Sequence, residues 1–263
     1  MRVTSITGLR RQLFGGAMAL MAVLGAAPPA PAFEPQHLER LRAMKACEGC
    51  DLAGAPLQGA DLAGARLAGA NLVKADLRGA NLTEADLERA ALQEANLDGA
   101  NLQRASLVAA ELGGAMLRRA DLRLAVLRGA TAAEADLTEA KLEQAHLVKA
   151  DFTGAILAGA DLTAATARDV RFFRARLTRA ILTRAELWGA DLRRADLTEA
   201  DLRDANLRAA DLIGADLTRA QMAGANLKNA CICNTVMPDG RTEVSGCRAC
   251  DRPRTPDSGD KPR

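Results

Sequence analysis

A five-residue pattern of apolar positions runs along the chain from about residue 50 to residue 237. Every fifth residue from position 55 to position 230 is Ala, with the single exception of Val170. The position two residues after each Ala is Leu almost throughout, from residue 52 to residue 227. The exceptions in the Leu series are Ala132, Phe152, Ala167, Phe172 and Met222.

This spacing excludes both regular secondary structures. In an α-helix, five residues advance the side chain by about 140° beyond a full turn, so the leucines would form no apolar stripe. In a flat strand, side chains alternate with a period of two, so an odd spacing would send successive leucines to opposite faces. The pattern therefore predicts a chain that turns after every five residues. Four turns of about 90° close a square coil, and about nine stacked coils would form a rod about 45 Å long.

The repeated motif A-[D/N]-L-x-x resembles the pentapeptide-repeat family. Ala70-Asn71-Leu72 and Ala225-Asn226-Leu227 are examples, and the motif recurs from Cys50 to Met237. The lead-in from Cys47 to Leu52 and the exit from Cys233 to Gly240 are also similar to the ends of family members. The resemblance implies an all-β solenoid, a right-handed quadrilateral β-helix, over residues 50–237.

A solenoid exposes an apolar layer at each end, so we expect caps. Residues 33–49 form the predicted N-terminal cap, with a short helix from His37 to Ala46. Its apolar residues are one helical turn apart and would pack on the first coil: Leu38, Leu41 and Met44. Residues 238–263 form the predicted C-terminal cap, with a turn at Pro238-Asp239-Gly240 and a disordered tail from Arg252 to Arg263.

Six cysteines lie at the two ends of the repeat, at Cys47, Cys50, Cys231, Cys233, Cys247 and Cys250. In an exported protein such cysteines favour disulfides that fasten the caps. The four C-terminal thiols also have spacing that could suit zinc, which is the alternative. We expect no metal and no cofactor, and the length of the rod excludes pairing between its two ends.

Residues 1–32 are predicted to be a cleaved signal peptide. Arg2, Arg10 and Arg11 precede an apolar run from Leu13 to Ala27, and small residues follow it. The run is shorter than the roughly 20 residues that span a membrane, so we expect no transmembrane segment after cleavage. The mature chain would be periplasmic or extracellular. Loss of the three arginines changes the formal net charge from +2 to −1, which gives no global attraction to nucleic acid.

The sequence offers little for catalysis. Many aspartates precede the central Leu, where a short acceptor can hydrogen-bond the turning backbone. The two histidines, His37 and His146, are isolated, and no nucleophile or phosphate-binding motif is present. A core filled with Leu and Ala leaves no interior pocket for a small-molecule substrate. We therefore expect a protein that is not an enzyme.

Two expectations follow from stacking each residue on the one a full coil later. Ala132, Phe152 and Phe172 would share one core column, and Val170 would partly refill the volume lost at Ala167. On the surface, charges of alternating sign would form ladders. The expected contacts are Arg119 with Glu139, Arg179 with Glu199, Glu199 with Arg219, and Arg171 with Asp151 and Asp191.

A local cluster of arginines is the candidate binding site. Residues 168–194 contain eight arginines and three acids, a local balance of +5. Trp188 would be exposed in an outward row between Arg168 and Arg208, within reach of cation–π contact. The predicted site comprises Arg168, Arg171, Phe173, Arg174, Trp188, Arg193, Arg194 and Arg208. It would bind an anionic partner. The alternative is that these arginines have no partner and that their aliphatic stems only cover the edge of the coil.

Two functions remain open. The first is a non-catalytic exported scaffold or protein-interaction module, with an unknown protein or an anionic envelope component as its partner. The second rests on the resemblance, because some pentapeptide-repeat relatives inhibit DNA gyrase by presenting an acidic, DNA-like rod. The near-neutral charge and the predicted signal peptide both disfavour this topoisomerase-binding role.

Overall fold

The computed structural model describes residues 33–244 together with residues 247 and 250. The predicted signal peptide, residues 1–32, and the predicted tail, residues 252–263, lie outside the described residues. The described residues form one helix and two strands, α1 (Pro35–Met44), β1 (Thr235–Val236) and β2 (Thr242–Glu243). No helix in this part of the chain is long and apolar enough to cross a membrane.

The repeat folds into stacked coils, each made of four five-residue sides. Parallel bridges join equivalent positions of adjacent coils, from Ala46 with Arg66 to Asp216 with Val236. Backbone hydrogen bonds also join adjacent coils, as from the Leu72 N–H to the Ala91 carbonyl at 2.7 Å. A turn follows every five residues. The predicted stack of four-sided coils is therefore confirmed, over about nine and a half coils.

Each corner of a coil combines two local features. The residue two positions after the Leu has a positive φ, which favours glycine, yet many corners carry other residues, such as Arg89 at 54° and Leu124 at 59°. The Asp or Asn before the Leu accepts a hydrogen bond from the N–H two residues later, as Asp151 does from Thr153 at 2.9 Å. These acids thus serve the turn, as their position in the repeat predicts.

The interior is a continuous column of Leu and Ala side chains. Phe152 and Phe172 are fully buried, and their rings stack with centroids 5.4 Å apart. Ala132, one coil before Phe152, is buried in the same column. The predicted column of small and large residues is therefore confirmed. Ala167 and Val170 are buried too, and the turn that joins them is looser, with 3.4 Å between the Val170 nitrogen and the Ala167 oxygen.

The two ends of the solenoid differ. Helix α1 begins at Pro35 and ends at Met44, two residues earlier at each end than predicted, because Pro35 suits the first turn and Lys45 adopts a left-handed conformation. Leu38 and Leu41 are buried in the core, whereas Met44 is 62% exposed. At the other end, strands β1 and β2 form an antiparallel hairpin around the predicted Pro238 turn. The sequence pattern predicts the turn but not the hairpin.

Candidate functional site

The predicted site residues fall on one side of the solenoid and on the two corners that bound it. Arg168, Trp188 and Arg208 occupy successive levels of the first corner, since the Asp169 N–H bonds the Trp188 carbonyl and the Gly189 N–H bonds the Arg208 carbonyl, each at 2.9 Å. We call the side between this corner and the next, which is residues 168–174 with the stacked residues of adjacent coils, the arginine face. Its second corner and middle column supply the remaining predicted residues, which are Arg171, Phe173, Arg174, Arg193 and Arg194.

Arg193 is the best-fixed residue of the arginine face. Its Nε and Nη2 donate to the two carboxylate oxygens of Asp191 at 2.8 and 2.6 Å. The Asp191 hydrogen bond is the main cause that raises the pKa of Arg193. Burial opposes ionisation of Asp191, but the hydrogen bonds from Arg193 outweigh it and lower the pKa of that carboxyl. The pair is therefore ionised at neutral pH and holds the guanidinium in one orientation.

Phe173 is the aromatic centre of the site. The Arg174 guanidinium carbon lies 5.0 Å from its ring centroid and that of Arg193 lies at 5.5 Å. Both distances suit cation–π attraction. Trp188, expected to be an exposed platform, is partly buried on the first corner. The aromatic ring that meets these arginines belongs to Phe173.

Five of the six arginines of the face fall into two classes, paired and exposed. Arg171 donates to the Asp151 carboxylate at 2.8 Å, as the ladder analysis predicts, while its other expected partner, Asp191, is hydrogen-bonded by Arg193. Three other arginines are exposed, and within the described part of the chain no ion pair joins them to a carboxylate. These three are Arg168, Arg174 and Arg194. They are the guanidinium groups available to an anionic partner.

The local charge of +5 does not collect on this one face. Arg176, Arg179 and Arg184 belong to the same stretch of sequence, but the five-residue turns place them on other sides of the coil. Arg179 is also paired there with Glu199 at 2.7 Å. Sequence distance therefore overstated the density of positive charge at the site.

The cysteines form bonds within each end of the solenoid. Cys47 is joined to Cys50, and Cys233 is joined to Cys247. Cys231 and Cys250 lie half-buried at the C-terminal end. A zinc site with four thiolates would need Cys233 and Cys247 as free ligands, so the disulfide takes the place of that alternative.

The two histidines have separate surroundings. The His37 Nδ1 accepts a hydrogen bond from the Asp51 N–H at 3.1 Å, which ties helix α1 to the first coil. His146 lies in a bridge position far along the solenoid, between Val126 and Thr166. Over the described ranges, no group of three or more His, Cys, Asp or Glu side chains is arranged to hold a metal ion.

A different corner carries two shallow depressions that the sequence analysis missed. One has a volume of about 470 Å³ and the other about 450 Å³, and Thr138 and Glu139 line both. We call this corner the notched edge. It consists of residues 98–99, 118–119, 138–139, 158–159, 178–179 and 198–199. Its only sequence signal is the recurrence of small residues at stacked corner positions, including Gly99 and Gly159.

The predicted charge ladders run along this edge. Arg119 and Glu139 are 2.7 Å apart, Arg179 and Glu199 are 2.7 Å apart, and Arg219 lies 3.3 Å from Glu199. These three contacts confirm the expected ladders. Hydrogen bonding to Arg179 is the main cause that lowers the pKa of Glu199, with a further hydrogen bond from Arg219.

Comparison with known proteins identifies the repeat. A family model described as pentapeptide repeats matches segments of the chain between residues 47 and 237. The matched segments are 47–83, 85–123, 105–144, 135–172, 160–199, 171–208 and 200–237. No curated protein matches the chain.

Solved structures similar to the chain include three pentapeptide-repeat or resistance proteins. HetL from the cyanobacterium Nostoc sp. strain PCC 7120, a pentapeptide repeat protein involved in heterocyst differentiation regulation, is 35% identical over 70% of this chain and 87% of its own, with a TM-score of 0.43. QnrB1, a plasmid-mediated fluoroquinolone resistance protein, is 18% identical over 63% and 89%, with a TM-score of 0.37. A pentapeptide repeat protein from the thylakoid lumen of Arabidopsis thaliana is 31% identical over 45% and 66%, with a TM-score of 0.22.

Proposed function

The chain belongs to the pentapeptide-repeat family, and we propose that it is a non-catalytic, exported interaction module that binds an anionic partner on the arginine face. The observation that carries the proposal is the set of three exposed guanidinium groups without a carboxylate partner among the described residues: Arg168, Arg174 and Arg194. They lie beside arginines whose charges are already paired, so the face has a net positive charge to offer.

The fixed arginines support this function by preparing the surface. Arg193 is held by Asp191 and stacks on Phe173, so its exposed edge is ordered before a partner arrives. A guanidinium group presents several N–H donors in a planar fork that matches carboxylate or phosphate oxygens. Ordering the site in advance lowers the entropy lost on binding. The chemistry suits an acidic protein surface or another anionic component of the cell envelope.

The fold supports a scaffold more than an active site. The right-handed quadrilateral β-helix of the family gives a filled interior, and the buried Leu and Ala columns leave the chemistry to surface side chains. Helix α1 acts as the N-terminal cap in this proposal, with Leu38 and Leu41 covering the first coil. The disulfides between Cys47 and Cys50 and between Cys233 and Cys247 suit an oxidising compartment outside the cytoplasm.

The topoisomerase-binding alternative needs an acidic surface that imitates DNA. On this solenoid the aspartates before the central Leu accept backbone hydrogen bonds and many are paired with arginines, as Asp201 is with Arg203 at 2.5 Å. Paired carboxylates give a weaker field than rows of phosphates. We therefore assign binding to the arginine face rather than to an acidic one.

The test removes the three available charges together. Arg168, Arg174 and Arg194 are changed to Gln, and binding to envelope fractions and to immobilised polyglutamate is compared with the unchanged chain at low and moderate salt. Each exposed charge contact contributes up to about 1 kcal/mol, so the triple change should weaken binding by about tenfold or more. The effect should shrink as salt screens the charges.

The matched control removes three arginines from other sides of the solenoid, Arg104, Arg176 and Arg184. This variant has the same net charge as the first, and it should bind nearly as well as the unchanged chain. Equal binding by both triple variants at both salt levels, with the circular dichroism spectrum intact, would eliminate the arginine face as the site.

A further inference from the structure

The notched edge carries a pattern of charge that the arginine face lacks. Successive levels of one column are Arg119, Glu139, Gly159, Arg179 and Glu199, each one coil from the next. Their order is therefore positive, negative, neutral, positive, negative. A half-turn about Gly159 would place each positive charge opposite a negative one. The pattern is self-complementary in the antiparallel direction.

We propose that the notched edge binds a second copy of this chain, with the two solenoids antiparallel and a two-fold axis beside Gly159. Glu139 of each copy would then meet Arg179 of the other, and Arg119 would meet Glu199. Such an isologous contact uses the same surface on both chains and closes on itself as a dimer. It goes beyond the proposed function, because the arginine face is on a different side of the coil and stays open in the dimer.

The centre of the contact has the least steric bulk of the edge. Ala158 and Gly159 are the two corner residues at this level, and a Cβ built on Gly159 would have only the Glu139 side chain nearby, at 3.7 Å. The depression of about 470 Å³ surrounds this level. Two backbones can therefore approach closely at the axis, and side chains of the second copy can occupy the depression on either side of it.

The charged groups beside the notch are accessible to a partner. Side-chain exposure is 77% for Arg119 and for Arg179, 56% for Glu139 and 33% for Glu199, the least exposed of the four. The overlap from residue 119 to residue 199 covers four steps between coils, or about 19 Å. In the dimer, each internal pair would join the pair of the other copy. The result is a network of four charges on each side of the axis.

A second corner carries the same kinds of charge in an order that is not self-complementary. It carries Glu84, Arg104, Arg184 and Asp204 on either side of Gln144. Here the order is negative, positive, positive, negative, so a half-turn about Gln144 would oppose like charges. The chain thus has one column whose order attracts its own copy and another whose order repels it.

A narrow contact of this kind gives a weak dimer that depends on salt. Exposed ion pairs fix orientation more than they add affinity, and salt screens them. Analytical ultracentrifugation of the full chain at low salt should therefore show dimerisation that rises with protein concentration. Dissociation should follow when salt is added. A chain that stays monomeric up to its solubility limit at low salt would overturn the proposal.

Charge reversal provides the sharper test. Arg179→Glu alone opposes Glu139 of the second copy, and Glu139→Arg alone opposes Arg179 of the second copy, so each variant should dimerise about tenfold more weakly. An equimolar mixture of the two variants restores opposite charges across the interface. The mixture should therefore form a heterodimer about as readily as the unchanged chain dimerises, whereas each variant alone stays about tenfold weaker.

The mixing step separates contacts between chains from contacts within one chain. Each substitution also places like charges next to each other inside its own chain, beside Glu199 or Arg119, and mixing cannot relieve that. Arg184→Glu, on the repelling corner, is the matched control and should leave the dimer unchanged. A dimer that ignores the reversals, or one lost in both variants and not regained on mixing, would refute the antiparallel contact.

Discussion

Replacing Phe152 with Ala tests whether the column of large and small residues stabilises the solenoid. The Phe152 ring is fully buried and stacks on Phe172 at 5.4 Å, while the level on its other side is occupied by Ala132. A change from Phe to Ala in a core costs about 3 to 5 kcal/mol, including the cavity that remains. The stacked pair contributes about 0.5 to 1.5 kcal/mol of coupling. Ala132 is too small to fill the space, so we expect the upper half of the first range.

The assay is unfolding in guanidinium chloride, followed by circular dichroism. The Phe152→Ala variant should show the loss, and adding Ala132→Leu should recover part of it because the new side chain can enter the vacant volume. Thr153→Ala, next to the site on the corner, is the control for surface effects and for its hydrogen bond to Asp151 at 2.6 Å. A loss below about 1 kcal/mol in Phe152→Ala would refute the reasoning, because it would mean that the ring contributes little to the packed interior.

Three other predictions concern pH, the corners and the C-terminal disulfide. Hydrogen bonds from arginines lower the pKa of Asp76 and Asp201 in the folded chain. The stability that these two carboxylates contribute is therefore present above the unfolded pKa of about 4 and is lost as pH falls through the folded pKa. Acid-induced unfolding at low and high salt would measure this contribution. Leu124→Gly should raise the free energy of unfolding by about 0.5 to 1 kcal/mol, because glycine adopts the left-handed backbone of this corner without strain. Gly79→Ala should lower the free energy of unfolding by about 1 kcal/mol for the opposite reason. An unchanged denaturation midpoint in both variants would show that a positive φ at the corners costs no stability. Cys247→Ser should speed hydrogen exchange in strands β1 and β2, because the disulfide is expected to stabilise the loop that it closes by up to roughly 3 kcal/mol. Unchanged exchange would show that the disulfide does not hold the hairpin.

The interior of this protein is predictable because the same physical choice is made at each level. Nearly every residue that faces the axis is Leu or Ala, so a spacing of five residues identifies Leu72 and Ala75 as core positions without any knowledge of distant contacts. The same arithmetic finds the neighbours in adjacent coils, including Arg119 and Glu139. Helix α1 was also found, but its ends depend on Pro35 and on the backbone of Lys45, which the spacing of apolar residues does not determine.

The details of the surface were less predictable, because they depend on side-chain direction. Trp188 and Phe173 are both aromatic corner residues, and spacing alone could not decide which ring the arginines would cover. The depression at Gly159 arises from what is missing at one level, so only the stacked coils reveal it. Likewise, the cysteine spacing permits several pairings, and the bond from Cys233 to Cys247 follows from the path of the chain after β1.

The four-sided coil makes the length of this protein change in discrete steps. Loss of one five-residue unit would leave every later Leu and Ala facing the axis, but it would rotate all later side chains by a quarter of a turn relative to the earlier coils. Arg179 would then move from the edge that it shares with Glu139 to the neighbouring one. Loss of four such units would shorten the rod by one level and keep every later residue on its own side. Deletions that the core tolerates equally thus have opposite consequences for surface recognition, and only the loss of whole coils preserves both.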